Sequence, residues 1–166
     1  MESEGGGSRI ALVACTEEHK GKGMAQSGQP AYRYLDHTSD LGLEISGRDL
    51  AELFANAALA MFDNIVDLAG VEEREVRHVM VKGDDLEAVF MDWLRELLFI
   101  FSTDYFIVRS VAQIEIRPDG LVAELRGERF DAQRHRVKLE IKTPTYHLFR
   151  VARGKTGCSA TIVFDV

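Results

Sequence analysis

The chain has 166 residues, with 20 Lys and Arg against 27 Asp and Glu, a formal charge of −7 and 46% hydrophobic residues. That balance excludes an intrinsically disordered chain and suits one domain with a core of its own. Two cysteines, Cys15 and Cys158, exclude a disulfide framework and fit a reducing, cytoplasmic setting, and the longest apolar run falls well short of the ~20 residues a bilayer requires.

Residues 1–30 are rich in Gly, Ser and charge, with a single apolar island, Ile10-Ala11-Leu12-Val13-Ala14. Glu2 and Glu4 precede that short island, which is not the pattern of a secretory signal. The segment reads as a flexible tail ahead of a domain spanning 31–166, with Met24 an alternative start and Cys15 an incidental thiol.

From Tyr32 onward the pattern tightens. Leu41-Gly42-Leu43-Glu44-Ile45 alternates apolar and polar residues, which predicts a half-buried strand. Leu50, Leu53, Phe54, Ala57, Ala58, Met61, Phe62 and Ile65 then recur at helical spacing, with Asp49 placed to cap the start. Residues 74–81 predict a second strand. A second and more apolar helical stripe follows, from Leu86 through Trp93 to Phe101, ending near Ser102. The two helix starts share one template, Gly-x-Asp-Leu-x-x-Leu/Val-Phe, at Gly47–Phe54 and Gly83–Phe90. Either a duplicated strand–helix unit or a common need for a capping acid before an apolar stripe accounts for it.

After Phe101 the period changes to two. Strands are predicted over 106–108, 111–116, 121–130, 137–141, 146–151 and 160–166, with Pro118-Asp119-Gly120 as a turn. The expected fold is α+β: two layers, a mostly antiparallel sheet with two amphipathic helices packed on it.

The charge is uneven. Residues 31–103 hold 15 acids and 6 bases, whereas residues 104–155 hold 11 bases and 7 acids. The basic segment, with Phe130, Tyr146 and Phe149 among its cations, reads either as a solvated strand face or as a surface for phosphate or an acidic partner. No nucleic-acid motif accompanies it.

Two places carry candidate chemistry. Asp36-His37-Thr38-Ser39-Asp40 concentrates carboxylates, an imidazole and hydroxyls just before a strand. Asp36 and Asp40 suit a hard cation such as Ca²⁺ or Mg²⁺, while an Asx or Ser/Thr turn explains the same residues without one. The second place is Val163-Phe164-Asp165-Val166, where Asp165 and the α-carboxylate of Val166 offer adjacent anionic groups. Should that strand end beside Asp40, the two would form an oxygen-only cation site. Other features fall short. His135, His147 and Cys158 lack zinc spacing, Gly154-Lys155-Thr156-Gly157 lacks the upstream glycine of a P-loop, and no Ser/His/Asp or Cys/His nucleophile stands out. An autonomous enzyme is not supported.

Taken in order, Tyr34-Leu35-Asp36-His37-Thr38-Ser39-Asp40, the Leu50–Phe62 helix, Gly83-Asp84-Asp85-Leu86 and Phe101-Ser102-Thr103-Asp104 resemble the archease family. Gly127-Glu128-x-Phe130, Lys142-x-x-Thr145-Tyr146-His147 and the terminal Val163–Val166 extend the resemblance over residues 32–166. Ser39 stands where family members commonly have Ala, and Pro144 is unusual in its segment. The resemblance implies an accessory protein of RtcB-type RNA ligases that aids guanylylation and multiple turnover in tRNA splicing or RNA repair, without joining RNA itself. It implies a metal site, usually described as calcium, at Asp40, Asp165 and Val166, and leaves Asp36 without a role. Contact with RNA would be indirect, through the ligase. A stand-alone metal-dependent hydrolase of phosphate esters and a chaperone-like binder are the competing readings.

Overall fold

Both helix starts are built alike, and the cause is a close approach of backbone to helix. The computed structural model describes residues 31–36 and 39–166, so the tail read at 1–30 lies outside the described residues. Strand β2 (Leu41–Gly47) runs into helix α1 (Leu50–Ile65), and strand β3 (Glu75–Lys82) runs into helix α2 (Leu86–Asp104). Asp49 accepts a hydrogen bond from Glu52 N at 2.8 Å and Asp85 one from Ala88 N at 3.0 Å, each satisfying an orphan amide of the first turn. A Cβ on Gly47 would lie 2.5 Å from Leu53 N, and one on Gly83 would lie 2.8 Å from Val89 Cγ2. In both units the glycine lets the strand exit pass tightly over the helix start.

The remaining strands are β1 (Tyr32–Tyr34), β4 (Phe106–Arg117), β5 (Gly120–Arg129), β6 (Thr143–Arg153) and β7 (Cys158–Asp165). They form two antiparallel sheets rather than the one expected, in the orders β1-β2-β7-β6 and β3-β5-β4. The orders reveal a nested repeat. The path β3–α2–β4–β5 gives the order β3-β5-β4, and β2–α1–β6–β7 gives β2-β7-β6, so the second unit is inserted between α1 and β6 of the first. Each helix packs against strands of both sheets. At the centre, the fully buried Trp93 donates from Nε1 to the carbonyl of Phe54 at 2.9 Å, tying α2 to α1.

Most strands run one to three residues beyond or short of expectation, and four larger differences have local reasons. Tyr32–Tyr34 pairs with β2 as a short edge strand that carries too few residues to show a period. Residues 106–117 form one strand, not two, because bulges after Val108 and Val111 interrupt the alternation without ending the pairing. Residues 137–141 are not a strand. Apart from one bridge between Val66 and Val137, the segment bonds to the end of α1, with Lys138 N and Leu139 N both donating to Ile65 O. Helix α2 continues to Asp104, where Tyr105 caps it in the left-handed region at φ 56°. Among the described residues no helix is long and apolar enough to cross a membrane.

Candidate functional site

The acidic loop connects β1 to β2 as a hairpin closed by Leu35 N donating to Gly42 O at 2.9 Å. The arm is laced to the end of α1. Tyr32 Oη donates to Asp63, Tyr34 Oη donates to Asn64 Oδ1 at 3.0 Å, and the two tyrosine rings meet edge to face. Burial, reinforced by the Asp63 carboxylate, holds the Tyr32 phenol far above its usual pKa, so it stays a donor. Lys138 Nζ adds a bond to the carbonyl of Asp63, a cation at a helix C-terminus. Asp36 and Asp40 are exposed, and His37 and Thr38 lie outside the described residues.

Strand pairing then brings the two candidate segments together. Leu41 stands opposite Phe164 in the β2–β7 ladder, so Asp40 and Asp165 are the next positions at the same end of neighbouring strands. Leu41 and Phe164 pack toward the core, and alternation places residues 40 and 165 on the opposite face. The start of β6 completes the corner. Lys142 N donates to Asp165 O at 2.9 Å, and Lys142 Nζ donates to the main-chain oxygen of Val166 at 3.2 Å. Asp40, Asp165 and Val166 thus share one end of the four-stranded sheet.

These donors fit a hard divalent cation by type: two carboxylates and a main-chain oxygen, with no sulfur or imidazole among them. Among the described residues, no three His, Cys, Asp or Glu side chains are placed to hold a metal ion, so the corner offers a partial, open coordination set rather than a closed cage. The Lys142 ammonium already occupies the Val166 oxygen and competes with a cation for it.

The other sequence candidates resolve simply. Gly154–Gly157 is the β6–β7 turn, with Gly154 N donating to Gly157 O at 2.7 Å, and cradles no phosphate-binding helix start. Cys158 lies in β7 opposite Gly47, packs on the core, and burial pushes its thiol pKa up. Several cations of the basic segment are spent internally: Arg134 on Glu128, Arg126 on Glu124, Arg129 on Glu75 and Lys138 on Asp63.

One centre escaped the sequence reading. Glu128 is buried and receives a bidentate Arg134 at 2.8 and 2.9 Å, the amide of Glu72 at 2.7 Å and His135 Nε2 at 3.0 Å. Asp131 N donates to His135 Nδ1, which fixes the ring proton on Nε2, toward the carboxylate. The Arg134 bonds, aided by the Glu72 amide and His135, outweigh burial and hold Glu128 down to a pKa of about 2. Its role is structural: it clamps the 131–139 segment and the approach to β3. Only the Gly127-Glu128-x-Phe130 motif pointed at it, and without a role.

Comparison with known proteins agrees with the fold. The profile of the Archease protein family (MTH1598/TM1083) matches residues 32–166. The chain is 44% identical to the protein archease of Archaeoglobus fulgidus over 139 residues, covering 81% of this chain and 98% of that one. It is 34% identical to the protein archease of Methanosarcina barkeri over 147 residues, covering 86% and 100%. The solution structure of Methanobacterium thermoautotrophicum protein 1598 superposes with a TM-score of 0.68 at 32% identity, covering 82% of this chain and 99% of that one. The crystal structure of a Thermotoga maritima archease, described as a possible chaperone, shares the fold at a TM-score of 0.53 and 23% identity, over 81% and 96%. A family profile spanning residues 32–166, and relatives matched over nearly their full length, leave one conclusion: the chain belongs to the archease family.

Proposed function

We propose that this protein is an accessory protein of an RtcB-type RNA ligase, promoting the ligase's guanylylation and multiple turnover in tRNA splicing or RNA repair in the cytoplasm, and is not itself an enzyme. The observation that supports the reading is the β2–β7 register, which sets Asp40 beside Asp165 at an open, oxygen-lined corner.

Asp40, Asp165 and the Val166 main-chain oxygen would hold a divalent cation, calcium in this reading, which when bound offers positive charge and open coordination positions to a phosphate or a partner's carboxylate. The chain's own residues prepare that place. The tyrosines of β1 fix the arm that carries Asp40, and the amide of Lys142, just ahead of β6, fixes Asp165. Lys142 places a second cation at the same corner, keeping it attractive to anions when Val166 is shared.

The test is RNA ligation by the cognate RtcB-type ligase with GTP and excess RNA, with wild-type protein, with Asp40→Ala and with neither. Multiple turnover restored by wild type alone is the expected result. Equal stimulation by Asp40→Ala would remove the cation site from the mechanism. Suppression of ligase aggregation that is indifferent to Asp40 would favour the chaperone description given to the Thermotoga protein. Phosphate-ester turnover without ligase would favour a hydrolase.

A further inference from the structure

We propose that Asp63 is a positioning residue for the cation corner, holding the arm that carries Asp40 through the phenol of Tyr32. This rests on the cation site proposed above and adds the residue that presets its affinity for the ion.

Asp63 breaks a local rule. It sits in the last turn of α1, where the helix dipole is negative and an acid is disfavoured, and that turn holds no base. Compensation comes from outside the helix. Lys138 Nζ lies 3.7 Å from Asp63 Oδ1 and also donates to the Asp63 carbonyl, while Tyr32 Oη donates to Oδ2. One carboxylate thus joins the end of α1, the segment ahead of β6 and strand β1. A residue that offends its own helix, and is compensated by two distant partners, marks a place where position matters more than helix stability.

Strand β1 needs such an anchor. It is three residues long and lies at the edge of its sheet, with β2 as its neighbour. Its other side-chain holds are weak. The Arg33–Glu44 pair has side chains 73% and 36% exposed, which leaves it worth little. Tyr34 is 59% exposed and bonds to the neutral amide oxygen of Asn64. Tyr32 differs on both counts: it is partly buried, and its acceptor is a carboxylate, so the bond is charge-assisted.

The hairpin converts that hold into a ligand position. On one side of Asp40 the chain is fixed, because Leu41 pairs with Phe164 in the β2–β7 ladder. On the other side residues 36–40 lead back to β1, and the last bond before them runs from Leu35 N to Gly42 O at 2.9 Å. The approach of the loop to the corner is therefore set at its β1 end. Only two carboxylates and one main-chain oxygen are offered to the ion, so any ordering of the loop on binding would take a large share of the binding energy. A β1 strand already held by Asp63 removes that cost.

The experiment titrates calcium alone into the full chain by calorimetry, for wild type, Tyr32→Phe, Asp63→Ala, the double variant and Val81→Ala, a core truncation in the other sheet. Thermal melting without calcium runs beside it and ranks the variants by stability. Each single variant at the Tyr32–Asp63 bond should bind calcium about tenfold more weakly, and the double variant no more weakly than either. Tyr32→Phe changes no charge, so its loss is not the field effect of removing an acid. Val81→Ala should bind like wild type although it melts lower. Wild-type affinity in Tyr32→Phe or in Asp63→Ala overturns the positioning role and spares the cation reading. An additive loss in the double variant also overturns it, since the two residues would then act apart. So does an equal loss in Val81→Ala, which would trace the effect to stability. No calcium binding by wild type overturns the positioning role and the cation reading together.

Discussion

Phe54 and Phe90 hold the same place in the two β-α-β-β units, and they meet edge to face with ring centroids 4.9 Å apart. Both are fully buried, and the carbonyl of Phe54 also accepts the indole of Trp93. The contact is therefore one of the places at which the nested units pack on each other. Truncating either ring, Phe54→Ala or Phe90→Ala, should cost about 3–5 kcal/mol in denaturant unfolding. A double-mutant cycle should leave about 1 kcal/mol of coupling between them. Strict additivity would mean that the rings merely fill the core.

The matched glycines should respond unequally to the same change. A methyl at Gly47 meets the backbone of Leu53, which cannot move, whereas at Gly83 it meets a side-chain methyl of Val89. Gly47→Ala should lose roughly 2–3 kcal/mol and Gly83→Ala no more than about 1 kcal/mol. Unfolding in urea decides it, and equal losses would refute the close-approach account.

Glu128 should make the fold acid-sensitive. Its pKa falls from 4.5 to about 2 on folding, so the unfolded chain binds the proton first as the pH drops. The stabilisation is present above pH 4.5 and is lost as the pH falls toward 2, an effect on the order of 2 kcal/mol. Glu128→Gln should lose a similar amount at neutral pH and flatten the stability profile between those limits. An unchanged slope would show that the clamp does not titrate.

Leu148 offers the opposite sign. Left-handed backbone costs a leucine about 1 kcal/mol, and this side chain is exposed, so Leu148→Gly gives up little packing. The melting temperature should stay level or rise by a few degrees. A fall would show that Leu148 packs in solution.

If a cation sits at the Asp40–Asp165 corner, calcium should raise the melting temperature of the wild-type chain and a chelator should reverse it. Asp40→Asn and Asp165→Asn should melt alike with and without calcium. A calcium response retained by both variants places the ion elsewhere.

The helices were the legible part of this fold. Asp49 and Asp85 announce their caps, and a stripe of sixteen or more residues carries its own period. The sheets were less legible because partners are distant. Nothing local in Leu41–Ile45 says that it pairs with Ala160–Phe164, or that the strands divide between two sheets. The strand-like pattern at 137–141 failed for a related reason. Leu139 and Ile141 there pack on the core, while the amides of Lys138 and Leu139 answer to Ile65. For the site, residue types offered Asp36, Asp40, Asp165 and Val166 as candidates, but only the long-range register sets Asp40 and Asp165 at one corner. Glu128 gave no periodic signal, since its burial depends on Arg134 and on an amide contributed by the distant Glu72.

The nesting of one unit inside the other sets an order of assembly. Residues 75–129 complete their own three-stranded sheet from contiguous chain, while β2 waits for β7, with Gly47 pairing Cys158 across the entire insertion. β7 follows the whole inserted unit in sequence, yet it takes an interior position between β2 and β6. A nascent chain can therefore emerge from the ribosome with one half closed and the other held open for its last strand. The corner that carries Asp40 and Asp165 needs β7 beside β2, so it forms only after the inserted unit and β6 have been made.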